Sequence, residues 1–238
     1  MAVGVAAAGP AVTPVEAQEL PPCAQFFVVG VRGSGQEMSG PLGMGGTVDP
    51  YVQADAGQLP ADMTVRYSLP YAAAPVGPFY VNSVFQGRDN LLSLVRNRIA
   101  NCQGIRIGLA GYSQGAHVIH LALERLTEAE RGVVRGVLLL ADPLSAGDTG
   151  YDRVVTLGGE PGTHNGGGVF ARDLLPGDIQ GRSTDFCISL DPVCDNESAS
   201  SSFAAFAADV HTMYAQCCGE FPAAITLGGE FAQRLAGA

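Results

Sequence analysis

The chain has 238 residues, 47% of them hydrophobic and only 15% charged, with a formal net charge of −10. That is long enough to bury a core as one large or two small domains, and it argues against a coiled coil or a disordered segment. The acidity and the lack of any basic run exclude a binder of nucleic-acid backbones, which needs clustered Lys and Arg.

Met1 to Pro14 is rich in Ala, Val and Gly and carries no charge. Without a basic segment at its start it reads as a leader remnant or flexible tail over residues 1–20, ahead of one domain over 21–238. It is too short to cross a bilayer, and no later run of apolar residues is long enough. Cys23 to Val31 is a strand candidate, followed by Arg32-Gly33-Ser34-Gly35-Gln36. Residues 37–60, rich in Gly and Pro, read as loop. Met63 to Leu69 is a second strand, stopped by Pro70. Asp89 is placed to cap a helix through Leu91, Leu92, Leu94, Val95 and Ile99. Ile105 to Ala110 is a buried strand, and Ala116 to Leu126 is a helix with apolar residues at helical spacing. Thr127 and Glu130 form a capping-box pattern. Gly136 to Ala141 is a strand buried on both faces, residues 144–182 are a glycine-rich excursion, and Thr184 to Leu190 is the last strand. Phe203 to Tyr214 and Pro222 to Leu235 read as helices. Solid apolar strands alternating with helices predict an α/β protein with a central parallel sheet covered on both faces.

Gly111-Tyr112-Ser113-Gln114-Gly115 lies where a strand turns into a helix, the context in which G-x-S-x-G holds a serine at the exposed tip of a sheet. The two glycines are expected to permit the turn, and the helix aims its first N–H groups at any negative charge that develops there. A serine hydroxyl needs a histidine to accept its proton, and the histidine needs a carboxylate to fix its tautomer. The four histidines are His117, His120, His164 and His211. His117 and His120 sit on the helix leaving the turn and read as packing or surface residues. A metal set of His117, His120 and Glu124 fits by spacing alone. His164 falls too early, which leaves His211 in the order Ser, acid, His. For the acid, Asp142 and Asp191 each end a strand at the edge where open α/β sheets bind ligands. Asp191 leads, because Cys187 and Cys194 bracket it, with Asp142 and Asp195 behind. Six cysteines fit an oxidising compartment, and their spacing does not suit a zinc site.

Gly111 to Gly115, Asp191 between Cys187 and Cys194, and His211 followed by Tyr214 together resemble the cutinase family. Arg32-Gly33-Ser34 is similar to that family's oxyanion-hole loop, and Val29 to Gly35 is closer to actinobacterial members than to fungal ones. The resemblance runs from about Cys23 to the C-terminus. It implies a single-domain α/β-hydrolase-like fold and a secreted, monomeric serine esterase that needs no metal or organic cofactor. It also implies Ser113, Asp191 and His211 as a triad, an oxyanion hole from Ser34 and the Gln114 N–H, and disulfides Cys23–Cys102 and Cys187–Cys194. The expected substrates are short- to medium-chain acyl esters or polyesters. Phospholipids, thioesters and cell-envelope lipids are the alternatives within the family, and a non-catalytic binding protein is the alternative outside it. The chain departs from the fungal pattern by an insertion at Ser198 to Asp209, by the excursion at 144–182, and by the adjacent Cys217 and Cys218.

Overall fold

The computed structural model describes residues 20–54, 58–147, 149–163, 166–170, 173–196, 204–217 and 223–237. Among these residues six strands form one sheet: β1 (Phe26–Val31), β2 (Thr64–Ser68), β3 (Arg106–Tyr112), β4 (Val134–Leu140), β5 (Asp152–Val155) and β6 (Ser183–Ile188). Every pairing is parallel and the strand order is β2-β1-β3-β4-β6-β5. The helices are α1 (Gly45–Gln53), α2 (Tyr80–Asn101), α3 (Gln114–Arg125), α4 (Glu128–Arg131), α5 (Gly177–Gln180), α6 (Ala204–Thr212) and α7 (Ala223–Ala236).

The sheet is covered on both faces, which is why β1 and most of β3 and β4 are buried residue after residue. Phe27, Val29, Val31, Ile107 and Leu109 face one core with Leu91 and Val95 of α2 and Val118 and Ile119 of α3. Phe26, Val28, Leu138 and Leu140 face the other with Tyr51 of α1 and Phe231 of α7. From β1 the chain passes to β2 on one side and then returns to β3 on the other. That reversal opens a crevice at the carboxyl ends of β1 and β3, where Val31 is paired with Gly111. Ser34 follows one of those ends and Ser113 the other.

Several boundaries differ from the sequence reading. Residues 37–60 are not all loop, because α1 lies inside them, with Pro50 within the helix. Local propensity opposes this helix, and tertiary contacts make it. Met44, Val48, Tyr51 and Val52 are fully buried, and the Asp49 carboxylate accepts the backbone N–H groups of Leu42 and Met44 at 3.0 and 2.8 Å. Asp89 is not a cap but lies mid-way along α2, which begins at Tyr80. Gly87 interrupts the apolar pattern there; a Cβ on it would lie 2.7 Å from Val118 and 2.8 Å from Tyr71. The first strand begins at Phe26, since Cys23 leaves the sheet to reach Cys102. The excursion at 144–182 contributes the edge strand β5 and the short helix α5. The capping box is formed, with Thr127 and Glu130 exchanging side-chain to backbone hydrogen bonds.

Cys23 is disulfide-bonded to Cys102 and Cys187 to Cys194, with Cα separations of 5.4 and 5.9 Å. Cys217 is buried and disulfide-bonded, while Cys218 lies outside the described residues, as do the tail at 1–19, His164 and residues 198–203 of the insertion. No helix of the described residues is long and apolar enough to cross a membrane. The first disulfide closes a sequence separation of 79 residues. Chain entropy assigns such a loop about 4.5 kcal/mol, comparable to the whole stability of many domains. A Cys23→Ala/Cys102→Ala variant should therefore show a large fall in melting temperature by calorimetry; an unchanged melting curve would show that the cross-link is dispensable.

Candidate active site

The chain leaves β3 through Ser113 and enters α3 at Gln114, and Ser113 holds φ 52° and ψ −115°. A side chain rarely adopts that conformation, and it costs on the order of 1–3 kcal/mol. The flanking glycines permit this turn, though not through their own backbone angles, because neither Gly111 nor Gly115 has a positive φ. What they allow is close approach. A Cβ on Gly115 would overlap the Val31 carbonyl, and one on Gly111 would lie 2.7 Å from the Gly115 backbone. The start of α3 thus packs directly on the ends of β1 and β3, and the strained turn is held by the Ser113 N–H donating to the Leu140 carbonyl at 2.8 Å. Among the described residues, the other non-glycine positive φ values fall at Ala73, Ala141 and Leu190. Each follows the carboxyl end of a strand.

Three separated segments meet at Ser113. His211, near the end of α6, has Nε2 3.0 Å from Ser113 Oγ. Its Nδ1 lies 3.0 and 2.9 Å from the two oxygens of Asp191. Asp191 is fully buried in the turn after β6, inside the Cys187–Cys194 loop, and its Oδ1 accepts the Val193 N–H at 2.8 Å. The ring of His211 stacks on Tyr112 with centroids 5.1 Å apart, and the Tyr112 hydroxyl donates to the His211 carbonyl at 2.5 Å.

Tyr214 has a part that the sequence reading left unassigned. Its hydroxyl accepts the Ile188 N–H at 3.0 Å and donates to Asp191 Oδ2 at 2.7 Å. Burial, then the charge of Asp191, pushes this phenol well above its ordinary pKa, so it stays a donor. Its carbonyl in turn accepts the Tyr51 hydroxyl at 2.7 Å, which ties the acid to α1. The spacing of Tyr214 from His211 was visible, but the partner Asp191 is distant in sequence.

The Arg32–Gln36 loop is anchored from several sides. The Arg32 guanidinium donates to the carbonyls of Gln36, Leu69 and Tyr71, and the Gly33 N–H donates to Gln36 Oε1 at 2.9 Å. Ser34 is thereby set against Gln114, whose Nε2 donates to Ser34 Oγ at 3.1 Å and to the Ala74 carbonyl at 3.0 Å.

The remaining candidates lie elsewhere. Asp142 pairs with His120 at 2.5 Å, in a site where the two side chains are 0% and 1% exposed, and its other oxygen accepts the Leu144 N–H. Burial alone would lower the His120 pKa, but the Asp142 charge and hydrogen bond outweigh it and hold the imidazole above its usual value. Asp195 caps its own turn, accepting the Leu190 N–H at 3.0 Å. His117 Nδ1 meets the Tyr80 hydroxyl at 3.1 Å, and burial lowers its pKa to about 4, so it is neutral at ordinary pH. His120 and Glu124 stand 3.9 Å apart and His117 turns to Tyr80; among the described residues no group of three or more His, Cys, Asp or Glu is gathered for a metal.

The fold and this hydrogen-bonded row define an α/β-hydrolase-like protein with a serine at the tip of the sheet. The family model for cutinase matches residues 22–232, and the chain belongs to the cutinase family of serine-type ester hydrolases. A cutinase from Coprinopsis cinerea is 26% identical over 190 residues, which cover 80% of this chain and 79% of that protein. A carboxylesterase from Mycobacterium tuberculosis is 31% identical over 124 residues, 52% of this chain and 54% of that protein, so the match spans about half the relative's length. Among solved structures, a cutinase-like protein from Cryptococcus sp. superposes with a TM-score of 0.66 at 21% identity, over 90% of this chain and 96% of that one. The catalytic core of an acetyl xylan esterase from Trichoderma reesei gives 0.66 at 20% identity, over 91% and 99%. At those identities the likeness is one of fold.

Asp185 on β6 offers a test of the buried acidic cluster behind the site. Burial, then the charges of Asp142 and Asp152, pushes its carboxyl well above the usual carboxylate range. The folded state therefore holds a proton that the unfolded state releases near pH 4, so this group's contribution to stability falls as pH rises from there to the folded pKa. Asp185→Asn does not titrate. Its stability relative to the parent, from urea melts, should rise by about 1.4 kcal/mol per pH unit across that window; a difference independent of pH would show that Asp185 is not held protonated.

Proposed function

We propose that the protein is a secreted serine carboxylic-ester hydrolase that works through an acyl-enzyme, with Ser113 as nucleophile, His211 as base and Asp191 as the acid that orients it. The observation that carries this reading is the unbroken row from Ser113 Oγ through His211 to Asp191. Ser113 Oγ attacks the ester carbonyl carbon and its proton passes to His211 Nε2. The oxyanion is held by the Ser34 hydroxyl and the Gln114 N–H, which as the first of α3 has no partner within the helix. The C–O bond breaks, and His211 returns the proton to the departing alcohol. Water then attacks the acyl-enzyme, giving its proton to His211, and Ser113 is regained with release of the carboxylic acid. The disulfides and the lack of a membrane-crossing helix among the described residues support secretion.

A short- to medium-chain acyl group is favoured over a charged substrate by the residues flanking the serine. His117 N–H donates to the Ser113 carbonyl, one helical turn on, and the rings of His117, Tyr80 and Phe170 lie 5.4–5.9 Å apart. Phe170 is 57% exposed and Phe79, next to Tyr80, 71% exposed. The exposed part of this wall, Phe79 and Phe170, is apolar, and burial leaves His117 uncharged.

A fluorophosphonate probe should label Ser113. Ser113→Ala should lose about 10⁶ in turnover and Asp191→Asn about 10⁴. Asp142→Asn should keep most turnover while losing about 1.5–3 kcal/mol of stability, the scale of a hydrogen bond to a charged group. Reversed phenotypes for the two aspartates would move the acid to the end of β4, and an unlabelled Ser113 would leave a binding protein on this scaffold.

The wall makes its own prediction. With p-nitrophenyl esters of rising length, each methylene buried against Phe170 should raise kcat/KM by up to about fourfold, and Phe170→Ser should flatten that series. A series unchanged by the substitution would place the acyl chain elsewhere, and faster turnover of a phospholipid or thioester would change the substrate class.

A further inference from the structure

Beyond the serine row, the polarity of one hydroxyl matters: Ser34 can support an oxyanion only if its own hydrogen points at the substrate. A serine hydroxyl rotates freely and either donates or accepts. Its direction is decided here by a closed set of hydrogen bonds that ends on α2, away from the reacting atoms. The Ala74 N–H donates to Ser83 Oγ at 3.0 Å. Ser83 accepts in that bond and keeps its own hydrogen, which it gives to Gln114 Oε1 at 2.9 Å. That fixes which end of the Gln114 amide is oxygen. The NH₂ end must then face Ala74 and Ser34, and it donates one hydrogen to the Ala74 carbonyl and the other to Ser34 Oγ. A reversed amide would set its oxygen against the Ala74 carbonyl. Ser34 Oγ already accepts a hydrogen bond, so its own hydrogen is left to be donated.

From this chain of donors we infer that Ser83 is a positioning residue for ester hydrolysis, setting the Gln114 amide so that Ser34 can only donate to the oxyanion. The inference rests on the ester-hydrolase reading above. Ser83 is 3% exposed, Gln114 is fully buried and Ser34 is half-buried, so water does not take over the interior links of the set. The order also explains why the residue after the nucleophile is a glutamine. Its backbone supplies one oxyanion donor, and its side chain orients the other.

The test is a double-mutant cycle, because a residue that acts through Ser34 has nothing to act on once Ser34 is gone. Wild type, Ser34→Ala, Ser83→Ala and the double variant are assayed for kcat and KM on p-nitrophenyl butyrate, with melting temperatures recorded. Removing a full oxyanion donor typically costs about 10²–10³ in turnover. Ser83→Ala should lower kcat by about tenfold with KM within about twofold, as expected for loss of a transition-state contact. In the Ser34→Ala background the same substitution should cost less than about twofold. Ser83→Thr, which keeps the hydroxyl, should recover most of the loss. If Ser83→Ala melts below the assay temperature, Gln114→Met enters the same cycle, since it removes the amide and keeps the backbone N–H. Equal losses in both backgrounds, or no loss in either, overturn the role of Ser83 and leave the hydrolase reading intact. A wild-type protein with no esterase activity and an unlabelled Ser113 overturns both.

Discussion

The turn at Ser113 is the constraint on which the rest of the structure depends. A left-handed serine between a strand and a helix persists only if its surroundings over-determine it. They do so by removing side chains where backbone must touch backbone: Gly115 sits against Val31, and Gly111 against Gly115. The parallel order β2-β1-β3-β4-β6-β5 then brings the ends of β1, β3 and β6 to one edge. Loops from those strands carry Ser34, Ser113 and Asp191, with Ser34 set against Gln114 and His211 joining Ser113 to Asp191.

Around that turn, donor and acceptor roles are set by buried groups that cannot change protonation near neutral pH. The phenols of Tyr51, Tyr112 and Tyr214 all have pKa values raised chiefly by burial, so each remains a donor. Tyr214 donates to Asp191, Tyr112 to the His211 carbonyl and Tyr51 to the Tyr214 carbonyl. Asp191 and His211 are thus held by hydrogen bonds that leave His211 Nε2 as the group facing Ser113.

The described residues contain a second histidine–carboxylate pair, and the two differ in their surroundings. His120 and Asp142 are closed off on α3 and at the end of β4, with side chains 1% and 0% exposed. His211 is 19% exposed and stands over Ser113. In both pairs Nδ1 meets the carboxylate, His120 on one oxygen of Asp142 and His211 on both oxygens of Asp191. Access and the presence of a serine on the other ring nitrogen distinguish them, and neither is a property of the pair itself.

The sequence by itself determined the elements whose signal is local. Strand-like apolar runs, the G-x-S-x-G between strand and helix, the Thr127–Glu130 cap and the cysteine bracket around Asp191 all depend on neighbours along the chain. They sufficed for an α/β sheet and for the residues that meet at its edge. Tertiary structure alone decided α1, where Pro50 and Gly45 argue against a helix and buried Tyr51 and the Asp49 carboxylate enforce it. It also decided the start of α2, because Gly87 breaks the apolar pattern to make room for Tyr71 and Val118. The strain at Ser113, the Tyr214 hydroxyl on Asp191 and the Ser83–Gln114–Ser34 set were illegible for the same reason. Each is a contact between residues far apart in the chain, and its energy exists only once the sheet has brought them together.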